Sequence, residues 1–267
     1  MSNFLLDLIN ISESHYIPKN SLGILKEGIL SSDERLMFIL MRYNKGSIDM
    51  NTLYTQLKSY LEMKANILLN KIFEAYPLEK AKDLSKSDRK DLETPEKSFI
   101  YGEIEFSSFF LILSDMPEWT RKSGIFYDLG SGTGRAVLTA RTLFDFSECR
   151  GIELLSSLHF AALNVVNIYE KDFSKSRYHG NSKNVEVKYA SLTDCDWSDG
   201  DVVFANSTCF SDKLMDIISQ KAEKLLVDAL VITFTKPLNS KLFKIVKKIR
   251  YKMSWGPATV YYHQKIV

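Results

Sequence analysis

The sequence predicts an α/β protein with a parallel sheet that finishes in an antiparallel hairpin and is preceded by a smaller helical region. From residue 124 onward, short apolar runs alternate with amphipathic helical segments, which is typical of a parallel sheet wound by crossover helices. A glycine-rich turn follows the first apolar run directly. The last two runs alternate like hairpin strands. Five parallel strands and a closing hairpin make a sheet of seven strands.

The elements of this second region follow from the apolar periodicity. We expect strands near 125–129, 149–153, 185–189, 201–206 and 227–235. Helices are predicted near 134–144, 156–172 and 211–224. Residues 245–253 and 259–266 are predicted to form the hairpin, joined by 254–258.

The first part of the chain is predicted to be helical. Ser31 and Glu34 have the capping-box spacing, which predicts a helix that starts there and runs to Tyr43. Apolar residues from Leu53 to Ile72 recur at helical spacing and predict a longer helix that packs against the second region. Residues 79–98 carry dense mixed charge, which indicates a solvated helix end and a linker. The predicted domains are therefore 1–97, helical with a charged linker, and 98–267.

Composition limits the classes of protein. A chain of 267 residues, 45% of them hydrophobic, can bury one α/β core with an accessory region. The net charge of +2 gives no overall field toward nucleic acid or membrane. Three widely spaced cysteines fit a reducing compartment, and the apolar runs are too short to span a bilayer. We expect an intracellular protein, in the nucleus or the cytoplasm, with no membrane partner and no metal site.

A cofactor site is predicted where the first strand ends. Asp128 is followed by Gly130, Ser131, Gly132 and Gly134, so the backbone there can approach a ligand closely. A dinucleotide loop needs its third glycine where Arg135 stands, and no phosphate-loop lysine follows. Glu153 ends the next strand, and an acid there suits the two hydroxyls of a ribose. The alternative is an ordinary strand-to-helix connection.

Five short fragments in order resemble one family. They are 100–103 (Ile-Tyr-Gly-Glu), 128–132 (Asp-Leu-Gly-Ser-Gly), 151–153 (Gly-Ile-Glu), 203–206 (Val-Phe-Ala-Asn) followed by Phe210, and 254–257 (Ser-Trp-Gly-Pro) followed by 260–262 (Val-Tyr-Tyr). Over about the last 170 residues the chain resembles the disruptor-of-telomeric-silencing (Dot-one-like) family of non-SET histone lysine methyltransferases. The resemblance implies a class I, Rossmann-like fold and S-adenosyl-L-methionine as the cofactor.

The resemblance also implies roles for particular residues. Tyr101 and Glu103 would cover the methionine end of the cofactor, and Asn206 would lie at the methyl-transfer centre. Trp255 and Tyr261 would line the lysine channel together with Phe210. The chain departs from the family beside the adenine, where Ser191 replaces an acid and Leu192 an aromatic residue. Adenine recognition is therefore expected to rest on backbone amides.

Methyl transfer to an amine needs alignment and desolvation, with no obligatory protein base. We assign Asn206 to orient the cofactor or the amine and Tyr261 to shape the channel. The alternatives are a helix cap for Asn206, a cross-strand aromatic for Tyr261 and hairpin packing for Trp255.

Three functions stay open at this stage. The leading hypothesis is a protein-lysine methyltransferase whose partner is a protein with a target lysine, a histone among the candidates. The others are a methyltransferase acting on a small molecule or RNA, and a non-catalytic cofactor-binding module. Strong intrinsic nucleic-acid binding is not expected, because charges in 79–98 cancel and the only uncompensated basic cluster lies within 236–252.

Overall fold

The computed structural model describes residues 4, 8, 11, 17–90, 102, 104–120, 124–173, 184–253 and 255–267. Within them lies a seven-stranded sheet in the order β3-β2-β1-β4-β5-β7-β6. The strands are Ile125–Leu129 (β1), Glu148–Glu153 (β2), Val185–Tyr189 (β3), Val202–Ala205 (β4), Leu230–Phe234 (β5), Phe243–Met253 (β6) and Gly256–Lys265 (β7). Strands β1 to β5 pair in parallel, and β7 runs antiparallel to both β5 and β6. The predicted fold class is confirmed.

Eight α-helices are described. They are Lys19–Leu30 (α1), Glu34–Asn44 (α2), Met50–Ile72 (α3), Leu78–Lys90 (α4), Phe106–Ser114 (α5), Arg135–Leu143 (α6), Ser156–Ile168 (α7) and Asp212–Ala222 (α8). A single π-helical turn, Tyr169–Phe173, continues α7. None of the described helices is long and apolar enough to cross a membrane.

The central strands form where apolar runs can be buried on both faces. Every residue of β4 and β5 is buried, as expected of strands covered by helices on both sides. The prediction placed the start of the fifth strand at 227, but β5 begins at Leu230. Asp228 is left-handed, with a φ of 71°, and its backbone N–H bonds to Lys265 O at 2.9 Å, so it forms a turn before the strand.

Two predictions for the first ninety residues are wrong in detail. The cap of α2 is Asp33 and not Ser31, because the Asp33 carboxylate accepts the N–H of Leu36 at 3.1 Å while Ser31 closes α1. Residues 78–90 form the regular helix α4 and not a helix end with a linker. Its mixed charges lie on the exposed side, while Ala81 is fully buried. Residues 91–98, with the predicted boundary at 97, lie outside the described residues.

The early helices pack on the same side of the sheet as α5 and α6. The apolar faces of α1, α2 and α3 join the hydrophobic cluster that also contains Phe126 of β1 and Phe204 of β4. Polar contacts fix this packing, since the Asn20 amide donates to Arg141 O and Phe144 O, both at 2.9 Å. The expected packing of the helical region against the sheet region is observed. The opposite face of the sheet is covered by α8 through Met215 and Ile218.

Candidate active site

A cavity of about 810 Å³ lies beyond the carboxyl ends of β1, β2 and β4. Strands β2 and β3 lie on one side of β1 in the sheet, and β4 and β5 lie on its other side, so the strand order reverses at β1. Such a reversal of strand order opens a crevice between neighbouring loops, which is where open α/β sheets bind ligands. The volume lies within the usual range for small-molecule sites. The cavity is therefore the candidate active site.

The glycine loop forms the floor of this cavity. Gly130 and Gly132 have φ angles of 84° and 55°, in the left-handed region that other L-residues rarely adopt. Their backbone curls back on β2, where Gly130 and Ser131 both donate to Ile152 O at 2.9 and 3.0 Å. Gly134 is also left-handed and caps α6, but it lies behind the cavity wall against Ala162. Gly130, Ser131 and Gly132 line the cavity as predicted positions, and Gly134 does not.

Glu153 is held rigidly at the end of β2. One carboxylate oxygen accepts the N–H of Gly132 at 2.7 Å, and the other accepts the N–H of Leu155 at 2.8 Å. The side chain is 6% exposed. Burial raises the pKa of Glu153, and the backbone N–H groups offset part of that rise. Each oxygen retains acceptor capacity, so the carboxylate fits the two hydroxyls of a ribose.

Asp128 supplies a second buried carboxyl to the same cavity. No hydrogen-bond partner for it lies among the described residues, and burial together with the nearby charge of Glu153 raises its pKa well above the ordinary value. Two carboxyls in one enclosed space favour a cationic ligand. The Ser131 hydroxyl is also buried at the cavity without a described partner. These groups fit a ligand that carries positive charge and a nucleoside.

Apolar groups and backbone surround the third-strand end of the cavity. Leu155, Leu158 and Leu192 line it, and Ser191 begins the turn that follows β3. The hydroxyls of Ser191 and Thr193 are 2.6 Å apart and bind each other, which leaves little side-chain capacity for a ligand. Ser191 and Leu192 therefore line the cavity, and their expected place beside an adenine stays a prediction.

The fourth-strand end of the cavity is aromatic. Phe204, Phe210 and Trp255 line it together with Asn206. The Asn206 amide donates to Gly102 O at 2.7 Å, and its carbonyl oxygen accepts the Thr208 hydroxyl at 3.3 Å. Asn206 therefore ties the segment before α5 to the end of β4.

Besides Gly134, three predicted residues are not part of the described cavity wall. Tyr261 lies in β7 opposite Thr233 of β5, and its ring is 5.3 Å from the Lys248 ammonium. It is absent from the described lining, so its role in the channel stays a prediction that the geometry does not support directly. Tyr101 and Glu103 lie outside the described residues, although Gly102 between them contributes to the wall.

The structure adds a wall that the sequence did not predict. Leu78 and Lys82 of α4 line the cavity, and Lys213 of α8 lies at its rim. The Asp88 carboxylate of α4 accepts the Ser157 N–H at 2.7 Å and the Ser157 hydroxyl at 2.5 Å, so it caps α7 directly after the Glu153 loop. Helical spacing of Leu78, Ala81 and Leu84 is the signal that could have identified this amphipathic helix.

Arg135 also contributes to the cavity. Its guanidinium group stacks at 4.5 Å on Phe73 and 4.8 Å on Phe106, and it donates to Tyr76 O at 3.2 Å. Arg135 thereby joins the glycine loop to the early helices. No group of three or more His, Cys, Asp or Glu residues in the described parts of the chain is placed to hold a metal ion.

The fold and the cavity at the ends of β1, β2 and β4 are those of a class I methyltransferase that uses S-adenosyl-L-methionine. Residues 88–254 match the family model described as histone methylation protein DOT1. The chain belongs to that family. The predicted family and cofactor are confirmed.

Comparison with solved structures shows similar folds at low identity. An RNA methyltransferase from Salinibacter ruber in complex with S-adenosyl-L-homocysteine is 22% identical, with a TM-score of 0.42 over 54% of this chain and 81% of that chain. A putative methylase from Haemophilus influenzae is 16% identical, with a TM-score of 0.46 over 60% and 99%. TrmN from Thermus thermophilus is 14% identical, with a TM-score of 0.49 over 64% and 52%. Comparison with curated protein sequences found no significant match.

Proposed function

We propose that this methyltransferase transfers methyl groups to lysine side chains of a protein, with histone-type proteins as the first candidates. The observation that carries the proposal is the aromatic lining of the cavity, to which Phe204, Phe210 and Trp255 contribute together with Asn206. Family membership supports the same class of substrate. The roles of the individual residues below are part of the proposal.

The order of the strands assigns the two ends of the cavity. Ser191, Glu153, Asp128 and Asn206 lie at or just beyond the carboxyl ends of β3, β2, β1 and β4, which are neighbours in the sheet. Adjacent strands are about 4.8 Å apart, so these four positions span roughly 14 Å. A nucleoside bound at Glu153 would therefore leave the aromatic end for the reacting amine. Asp128, between them, would face the cationic portion of the cofactor.

The aromatic end suits an amine that must react in its neutral form. When bound, S-adenosyl-L-methionine supplies an electrophilic methyl group on a positively charged sulfur, and the surplus proton of the amine leaves to solvent. The rings of Phe204, Phe210 and Trp255 exclude water, and desolvation lowers the pKa of an amine. No carboxylate, histidine or tyrosine lines this end among the described residues, and none is needed to remove a proton there.

Asn206 is proposed to orient the amine. Its amide nitrogen is committed to Gly102 O, which fixes the rotation of the side chain. The carbonyl oxygen accepts only a weak bond from Thr208 and can therefore accept an N–H of the incoming amine. The same bond to Gly102 connects the segment before α5 with the end of β4. Replacement of Asn206 should therefore make that segment and the amine-binding end of the cavity less rigid.

Label transfer to separated cell fractions tests the proposed substrate class. The protein is incubated with methyl-tritiated cofactor and with whole-cell protein, RNA or small metabolites in parallel reactions. We expect label in the protein fraction and a loss of that label with Asn206→Ala, while Asn167→Ala at an exposed position of α7 retains it. Label that enters only RNA or metabolites would contradict the proposal and leave the methyltransferase class intact.

A further inference from the structure

The last two strands carry a concentrated positive charge. Residues 229–267 contain eight lysine and arginine side chains and no acidic ones. Because the whole chain carries +2, the first 228 residues carry a net −6. The positive charge is therefore concentrated at one end of the chain although the total charge is small. A local positive field of this kind attracts polyanions even when the net charge of the protein does not.

Three of these cations form a line on one face of the edge strand β6. Lys248, Arg250 and Lys252 are exposed and alternate along the strand, so their side chains project to the same side of the sheet. At about 3.3 Å per residue they are spaced by roughly 6.6 Å over about 13 Å. We name these three residues the basic strip.

The basic strip differs from its neighbours in having no countercharge among the residues that the structure describes. Lys247 lies on the other face and contacts the Asp115 carboxylate at 3.5 Å, and Lys236 contacts Asp212 at 2.7 Å. For Lys248, Arg250 and Lys252 no ion pair occurs within the described parts of the chain. Three uncompensated cations on a rigid strand favour a ligand with regularly spaced negative charges.

Aromatic rings accompany the basic strip. Tyr261 lies directly opposite Lys248 in the register of β6 and β7, with its ring 5.3 Å from the ammonium group. Beyond Lys252 the chain turns into β7 through Trp255, which is 40% exposed and lines the rim of the cavity. The strip therefore leads from the edge of the sheet to the opening of the active site.

The combination indicates the chemistry of the partner. Lysines on an edge strand can have the sole role of preventing strand pairing, but that role does not call for the half-buried ring of Tyr261 and the exposed ring of Trp255 beside them. An acidic peptide would match the charge and leave Trp255 without a planar partner. Single-stranded nucleic acid offers phosphates for the cations and unstacked bases for the rings, a combination that recurs in proteins that bind it.

We propose that the basic strip and Trp255 bind single-stranded nucleic acid. Three phosphates contact Lys248, Arg250 and Lys252, and one base stacks on Trp255 at the rim of the cavity. This surface goes beyond the proposed methylation of lysine and does not depend on it. A cationic protein segment would be repelled by the strip, so a lysine substrate would reach the cavity from another side or together with a nucleic acid.

Fluorescence anisotropy with a labelled 12-nucleotide oligouridylate tests the proposal without cofactor. Three phosphate contacts on a single strand predict a slope of about −2 for log affinity against log salt, or roughly 40-fold weaker binding at 150 mM than at 25 mM KCl. The variant K248Q/R250Q/K252Q should reduce the slope to near zero. The control K26Q/K45Q/K71Q removes the same charge from the exposed surface of the early helices and should retain most of the slope.

Two further comparisons separate the possible partners. Trp255→Ala should weaken oligouridylate binding several-fold while leaving the salt slope unchanged, because stacking is not ionic. Equal losses in the two triple variants, tighter binding of a 12-base-pair DNA duplex, or stronger binding of polyglutamate than of oligouridylate would each overturn the proposal. Because no methyl transfer is measured, failure here leaves the proposed lysine methylation untouched.

Discussion

Replacement of Glu153 tests the cofactor site in the most specific way. In Glu153→Ala the ribose loses its carboxylate partner, and the loss of even one hydrogen bond to a charged group costs about 1.5 to 3 kcal/mol. That range corresponds to roughly 10- to 150-fold weaker binding of S-adenosyl-L-homocysteine. Glu153→Gln should lose nearly as much, because both oxygens already accept backbone N–H groups and an amide can replace only one of them.

Isothermal titration calorimetry with S-adenosyl-L-homocysteine measures this effect. The substitutions also leave the N–H of Gly132 or Leu155 without a partner, at a cost of about 1 to 3 kcal/mol in stability, so circular dichroism must first show that each variant is folded. Glu186→Ala, an exposed acid on the neighbouring strand β3, is the matched control and should bind like the wild type. Unchanged affinity in Glu153→Ala would refute the assignment of the ribose to this carboxylate.

Three further predictions concern the cavity and its support. The raised pKa of Asp128 means that its ionisation opposes folding, so the thermal stability of the ligand-free protein should fall as pH rises through that pKa. Asp128→Asn should reduce this dependence in a melting series above the ordinary pKa of an aspartate, with the remainder due to the raised pKa of Glu153, and it should weaken binding of the cationic cofactor. Asp88→Asn should weaken cofactor binding several-fold by loosening the cap on Ser157, with the loss in affinity and not in the maximal rate. Asn206→Ala should lower the maximal rate more than cofactor affinity, as measured by steady-state kinetics and calorimetry, because its proposed partner is the amine.

Much of the sheet could be predicted because apolar runs and breakers coincide with the strands. Residues 125–129 and 185–189 were predicted as strands and form β1 and β3 at those bounds. The glycine loop and Glu153 were identifiable because their chemistry is local in sequence. Sites whose residues lie close together in sequence can therefore be predicted from the sequence alone.

The missed features depend on contacts between distant residues. In sequence, helix α4 has the mixed charge of a linker. In the folded chain, Ala81 and Leu84 pack against Leu155 and Leu158, and this contact is not visible in the sequence. Asp88 caps a helix through Ser157, which lies 69 residues later in the chain, and no sequence spacing indicates that bond. The face on which Tyr261 lies is set by the register of β7 against β5, where Tyr261 pairs with Thr233. Alternation alone could not decide it.

The identity of the methylated atom is the most direct test of the proposed methylation of lysine. Whole-cell protein labelled by this enzyme with methyl-tritiated cofactor is hydrolysed completely, and the labelled amino acids are separated against standards. We predict that the label elutes with Nε-methylated lysines and is absent when Asn206→Ala replaces the wild type. Label that elutes with methylated arginine, glutamine or histidine, and not with lysine, would contradict the proposed specificity of the aromatic end of the cavity.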